Sequence, residues 1–428
     1  MSSILSEPFT LPCGVVIKNR IGKAPMTEGL ADRWDRPTEA LCRLYDRWAM
    51  GGIGLSVTGN VMIDHRYLER PGNVVIENED NLDLLSNWSA AGTKNGTELW
   101  MQISHPGRQS PGYITREPLA PSAVKVDMLW VHAKPRALRE TEILGIIERF
   151  ARVANIAKRS GFTGVQLHGA HGYLISEFLS PLANKRDDQW GGNLENRARL
   201  LLESVRAIRA TVGPNYPISV KLNSSDFQKG AFSEEDSRTV IQWLEKEGVD
   251  LIELSGGTYE HMALLDEEGS ATATGEKVMS AASARREAYF LDMAQKIRAV
   301  SDIPLMVSGG FRTLQGMEEA IESGVTNLIG LGRPLSAEPE LPNGLLDGTI
   351  EHARISDLDL TLGDNWFSPK SENKRIRHLN SFAEVGWHCV QIDRMGRDLD
   401  INWNMSPLTG MLKFFGGGML KQVLRKHK

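Results

Sequence analysis

The sequence predicts an α/β chain folded as a (β/α)8 TIM barrel with a C-terminal extension, and three observations carry that prediction. Eight short apolar, β-branched runs recur between residues 19 and 332, each ending in glycine or polar residues. The runs are apolar on both faces, as in parallel strands covered on each side. The segments between them repeat their apolar residues at helical spacing. Eight such units close a barrel, whereas a doubly wound open sheet of six or fewer strands leaves two runs without a place.

In chain order the expected strands are "NRIGKAP" (19–25), "IGLSVTG" (53–59), "ELWMQIS" (98–104) and "GVQLH" (164–168). "PISVKLN" (217–223), "DLIELS" (250–255), "PLMVSGG" (304–310) and "NLIGLG" (327–332) complete the set. Between them, Ala198, Leu201, Leu202, Val205 and Ile208 give a helix within 194–213. Ser233 with Asp236 starts a capped helix over 234–247, carrying Val240, Ile241 and Leu244 on its apolar side. Phe290, Leu291, Ala294 and Ile297 mark another within 285–299. The Pro-, Gly- and Arg-rich stretch 105–140 is too long for a simple connection, which points to a functional or capping loop.

Residues 1–345 therefore read as the barrel and 346–428 as a helical extension, packing on it or mediating contacts. The extension holds a helix near 373–392 and the basic, apolar "LTGMLKFFGGGMLKQVLRKHK", interrupted by three glycines. A surface helix closing the barrel and a membrane or partner contact are both compatible with that pattern.

Composition narrows the function. The 428 residues are 41% hydrophobic and 24% charged with a net charge of −5, which argues against nucleic acid as the main partner. Cys13, Cys42 and Cys389 are scattered, so neither a four-thiolate cluster nor a disulfide framework is expected. No run reaches the roughly 18 apolar residues of a membrane span, and Glu7 and Pro8 interrupt the N-terminus before any signal-like run. A reducing, cytoplasmic setting is the expectation.

The chemistry concentrates in "VQLHGAHGYLISEFLSPLANKRDDQWGG" (165–192), where His168, His171 and Tyr173 follow the fourth strand. Barrel active sites sit at the C-terminal strand ends. Two neutral histidines there can donate to a carbonyl oxygen, and a tyrosine can deliver a proton. The same pair can instead be a satisfied core contact or half of a metal site, although no further ligand stands at the usual spacing. Gly309 and Gly310 close the seventh strand and Gly332 with Arg333 the eighth, where barrels commonly hold a phosphate. Lys221 places a cation in the fifth strand, where it is either salt-bridged or set beside a cofactor edge. Gln102 ends the third strand with an amide suited to a pyrimidine edge, and Thr27 follows the first strand as a ring contact or a turn cap. His65 and Arg66 are candidates for substrate or nicotinamide phosphate, against a plain solvated loop.

These motifs together resemble the Old Yellow Enzyme family of FMN-dependent ene-reductases, without an iron–sulfur cluster. The resemblance rests on "NRIGKAPMT" (19–27), "QISHPGRQSP" (102–111), "HGAHGYLISEFLSPLANKRDDQWGGNLENRARL" (168–200), "VKLNSSDF" (220–227), "VSGGFR" (307–312) and "LIGLGRPL" (328–335). It implies FMN across the barrel mouth and NADH or NADPH as electron donor. Pro25, Met26 and Thr27 would then flank the flavin ring and Gly59 would lie near O4. Gln102 would meet the pyrimidine edge and Lys221 N1 and O2, with Gly309, Gly310, Gly332 and Arg333 around the phosphate.

His168 and His171 would bind the carbonyl oxygen of an activated alkene and Tyr173 would donate the proton, in a ping-pong cycle. Lys221 stands where many relatives have arginine, and Thr27 where one branch has cysteine. The family often forms dimers or tetramers, so a homo-oligomer is an expectation of the resemblance alone. The alternatives are an FMN-binding NAD(P)H oxidase or dehydrogenase with another acceptor, a flavin-binding interaction protein using the 350–428 tail, and a metal-dependent barrel hydrolase.

Overall fold

Eight parallel strands close into a barrel in the computed structural model, which describes residues 3–126, 132–256, 281–354, 360–369 and 371–426. They are β1 (Ile21–Lys23), β2 (Leu55–Val57), β3 (Glu98–Ser104), β4 (Gly164–Gly169), β5 (Ile218–Asn223), β6 (Leu251–Ser255), β7 (Leu305–Ser308) and β8 (Leu328–Leu331). Each pairs with its neighbour in sequence, and Ile329 opposite Ile21 joins β8 to β1. All eight expected strands are present; β3 keeps its expected span, β4 gains Gly169, and the others are one to four residues shorter.

The surrounding helices follow the apolar spacing. They are α1 (Glu39–Met50), α2 (Leu82–Gly92), α3 (Glu140–Arg159), α4 (Leu174–Leu179), α5 (Leu194–Val212), α6 (Glu234–Lys246), α7 (Ala281–Arg298) and α8 (Leu314–Glu322). The cap at the start of α6 is reciprocal: Asp236 N–H donates to Ser233 Oγ at 3.1 Å and Ser233 N–H to Asp236 Oδ2 at 3.3 Å.

Side chains pointing into the barrel alternate with those facing the helices. Leu55, Val57, Trp100, Leu251, Met306 and Leu328 fill its lower half. Trp100 needs room, which glycine supplies: a Cβ on Gly164 would lie 2.5 Å from the indole. A short antiparallel pair, Phe9–Thr10 with Val16–Ile17, sends Leu11 and Ile17 into the same cluster and plugs the lower end. The sequence reading has no counterpart for that plug, because two-residue strands are too short to show a period.

The 105–140 excursion pairs Leu119–Ala120 in parallel with Arg136–Ala137, so it is a folded loop. Beyond β8 come α9 (Leu341–Asp347), α10 (Lys374–Gly396) and α11 (Pro407–Leu424). α11 runs straight through Gly416, Gly417 and Gly418, which the sequence reading treated as an interruption. It packs on α10 where two glycines meet: a Cβ on Gly386 would lie 2.7 Å from Met411 Cα, and one on Gly410 2.7 Å from Trp387 Cα. The far end of α11 reaches the loops after β1 and β2. Lys421 donates to Gly29 O at 2.5 Å, and Arg425 bonds Asp35 at 2.6 Å. Among the described residues no helix is long and apolar enough to cross a membrane.

Candidate active site

β4 delivers His168 to the rim, and the chain turns sharply to bring two more rings beside it. His171 adopts φ +63°, a left-handed conformation that non-glycine residues rarely hold without surrounding support. The support comes from two other strand ends and the loop after β3. Asn223 Oδ1 accepts from the His171 N–H at 3.3 Å, Gln109 Nε2 donates to the His171 carbonyl at 2.8 Å, and Ser255 Oγ lies 2.7 Å from its Nε2. The His168 ring centroid is 5.2 Å from that of His171 and 4.8 Å from that of Tyr173, both near perpendicular. All three predicted catalytic side chains therefore converge.

The tautomer of His168 follows from its neighbours. Ala170 N–H donates to His168 Nδ1 at 3.3 Å, so the ring proton is on Nε2, the atom able to donate. Burial, then the nearby His171 and Lys221, pushes the His168 pKa well below its ordinary value. Burial and the Lys221 charge lower His171 to about 3. Both rings are thus neutral near pH 7, which is the state of a hydrogen-bond donor rather than a fixed cation.

Beneath the rings, inside the barrel, four polar side chains form one buried chain. Gln102 Nε2 donates to Gln166 Oε1 at 2.8 Å, Gln166 Nε2 to Glu253 Oε2 at 2.9 Å, and Lys221 Nζ to Glu253 Oε1 at 2.7 Å. Lys221 is level with His168 on one side and Glu253 on the other in the strand register. Of the two sequence readings of Lys221, the salt bridge is the one seen, with Glu253 as its partner. Gln166 and Glu253 were not singled out from the sequence. Their signal was there: a lone polar residue inside each of two apolar strands.

The loop after β1 carries Pro25, Met26 and Thr27, all half-buried. Thr27 Oγ1 donates to Asn60 Oδ1 at 2.9 Å, tying the loop after β1 to the loop after β2. Gly59 N–H donates to Glu28 Oε1 at 2.8 Å, and the Tyr45 hydroxyl bonds the same oxygen. A Cβ on Gly59 would lie 2.3 Å from Glu28 Oε2, so only glycine fits there. Glu28 is a third residue the sequence reading passed over.

At the ends of β7 and β8, Gly309 and Gly310 take φ +143° and +89°. The position of a Cβ on Gly332 is open, with only Ala24 at 4.0 Å. Arg333 pairs with Glu384 of α10, and its neighbour Ser336 bonds the buried His388 at 2.6 Å. The extension thus borders this corner. Arg312, nearly buried just after β7, adds a second guanidinium.

His65 and Arg66 face carboxylates instead of the rings: His65 Nδ1 is 2.7 Å from Glu77 and Arg66 bonds Asp64 at 2.6 Å. Asp64, His65 and Glu77 are also the grouped possible metal ligands among the described residues. Arg149 lies 3.0 Å from Glu77 and 3.7 Å from Asp64, so cations of the chain itself already balance them. Neither His168 nor His171 belongs to that group.

Residues 5–350 match the model of the NADH:flavin oxidoreductase / NADH oxidase family. The chain belongs to this family. It is 36% identical over 392 residues to an NADH-dependent flavin oxidoreductase, iliE, of Hypocrea jecorina, covering 86% of this chain and 93% of that one. A similar enzyme of Aspergillus parasiticus, nadA, is 38% identical over 394 residues, covering 88% and 82%. An Old Yellow Enzyme homologue from Zymomonas mobilis superposes with a TM-score of 0.68 at 26% identity, covering 82% of this chain and 94% of that structure. The protein is accordingly an FMN-dependent oxidoreductase with NADH or NADPH as donor.

The residues present fit that cofactor. The inward positions at the ends of β3 and β7 carry hydroxyls, on Ser104 and Ser308, that are buried and bonded to no protein group. Open glycine backbone at Gly332 and the guanidiniums of Arg312 and Arg333 suit a phosphate. An amide and an ammonium, Gln102 and Lys221, suit the polar edge of a ring.

Proposed function

We propose that this enzyme reduces the C=C bond of α,β-unsaturated carbonyl compounds, using one site in turn for NAD(P)H and for the alkene. The observation that supports the reading is the convergence of His168 and Tyr173, both buried, and the half-buried His171, beside the Lys221–Glu253 pair. Bound FMN supplies the hydride chemistry. Pro25, Met26, Thr27 and Gly59 would flank it, Gln102 and Lys221 would meet its polar edge, and Gly309, Gly310, Gly332 and Arg333 would take its phosphate.

The chain's own residues do the rest. His168 Nε2–H donates to the substrate oxygen, with His171 as second partner held by Ser255. Charge grows on that oxygen in an enolate-like transition state, so neutral donors fixed beforehand stabilise it more than the ground state. Tyr173, 3% exposed, holds the proton for the α-carbon in a water-poor setting. We further infer that residues 1–345 carry the flavin and that 346–428 complete its rim, because Glu384, His388 and Lys421 contact residues of the barrel loops.

The test is an anaerobic titration followed by the visible flavin band. NADH or NADPH should bleach it, and 2-cyclohexenone should restore it. A protein that bleaches but is restored by no enone rules out this substrate class while leaving the flavin reading intact.

A further inference from the structure

The buried chain Gln102–Gln166–Glu253–Lys221 has a direction, and Glu253 sets it. A carboxylate only accepts, so Gln166 must aim its Nε2 at Glu253, where it lies 2.9 Å away. The same nitrogen is 3.2 Å from Ser219 Oγ. Gln166 Oε1 is therefore left to accept from Gln102 Nε2 at 2.8 Å, and Gln102 keeps its own Oε1 as an acceptor for the cavity. At the other end, the same carboxylate holds Lys221 Nζ at 2.7 Å. Glu253 has no solvent exposure and Lys221 only 5%, so water screens this pair little.

We propose that Glu253 is a positioning residue that sets the reduction potential of the flavin, by cancelling most of the Lys221 charge and by fixing the Gln102 amide as an acceptor. This rests on the placement of Lys221 beside the flavin's polar edge argued above. An uncompensated cation there stabilises the anionic reduced ring and raises the potential. The ion pair presents the ring with a dipole instead, which keeps the reduced form a stronger hydride donor. Gln102 Oε1 in turn suits a ring N–H and disfavours a ring carbonyl.

The experiment uses the FMN-loaded full chain with sulfite, which forms an anionic flavin adduct, alongside direct potentiometry. Glu253→Gln should bind sulfite at least tenfold more tightly and shift the potential upward, by about 30 mV per tenfold for a two-electron couple. Lys221→Met leaves Glu253 as a lone anion and should shift both readouts the opposite way. The double variant Lys221→Met/Glu253→Gln, with neither charge of the pair, should return toward the parent.

Should Glu253→Gln fail to fold, the comparison of Lys221→Met with the double variant decides, since removing the carboxylate must tighten sulfite binding there too. Equal sulfite affinity and potential in those two proteins overturn the role of Glu253. If Lys221→Met itself matches the parent, the placement of Lys221 beside the flavin falls, and the proposal with it.

Discussion

The Nζ of Lys23 lies 4.6 Å from the centroid of the Trp48 ring and 5.5 Å from that of Tyr45, sealed without solvent exposure between β1 and α1. Its hydrogen bond goes to the carbonyl of Ala24 at 3.1 Å. Burial lowers its pKa from 10.5 to about 8, with Glu28 and Glu253 opposing the shift. The unfolded chain therefore binds the extra proton between those two values, and stability rises with pH across that window. Below about pH 8 the cost of the buried cation is fully present. Urea unfolding near pH 8 and near pH 10 should differ by up to about 3 kcal/mol more in the parent than in Lys23→Met. An equal pH response in both proteins would refute this.

Buried neutral histidines give the same sign on the acid side. Burial lowers His168 well below its usual value, His171 and His388 to about 3, and His105 to about 4. The unfolded chain takes up these protons first, so stability is whole above pH 6.5 and falls below it. Each group removes about 1.4 kcal/mol per pH unit until its folded value is reached. Enone turnover, limited to the pH range where the fold persists, should show no histidine titration between pH 5 and 8. A rate that falls as pH rises through about 6.5 would show that a charged imidazole is required.

The ring cluster predicts separable half-reactions. His168→Ala/His171→Ala should still be reduced by NADH or NADPH but be reoxidised by 2-cyclohexenone far more slowly, at about 2.7–4 kcal/mol for each donor lost. Stopped-flow measurement of the two halves checks it, and equal slowing of both would mean that the histidines hold the fold or the flavin instead.

Tyr173→Phe removes only the hydroxyl from a ring already packed 4.8 Å from His168. Reoxidation by an enone should slow by roughly 10²–10⁴, the usual worth of a placed acid, while flavin reduction keeps its rate. Restored speed with an acceptor that needs no proton at carbon, such as a quinone, is the matching control.

The crossing of α10 and α11 is set by Gly386 and Gly410, where backbone meets backbone. Gly386→Ala should cost about 1–3 kcal/mol by overpacking and speed proteolysis within 397–406. Thermal unfolding with limited proteolysis measures it, and an unchanged midpoint would mean the helices part without loss.

Much of this molecule was legible in one dimension. The eight strands, the cap at Ser233 and the run from His168 to Tyr173 are local patterns, with periods and punctuation that short-range sterics and burial impose. Glycine at 309, 310 and 332 likewise marked the ends of the last two strands, and at 332 the backbone is open. What tertiary structure alone decided is who meets whom across the chain. Glu253 finds Lys221 32 residues away and Gln102 finds Gln166 64 away, while Arg425 reaches Asp35 across 390. Such pairs leave no periodic trace, because closing a barrel sets their neighbours by register and not by spacing. The sequence by itself determined the fold, the rim and the three rings. The charge balance beneath them, the plug below and the helix lying across the loops were decided only when the strands closed.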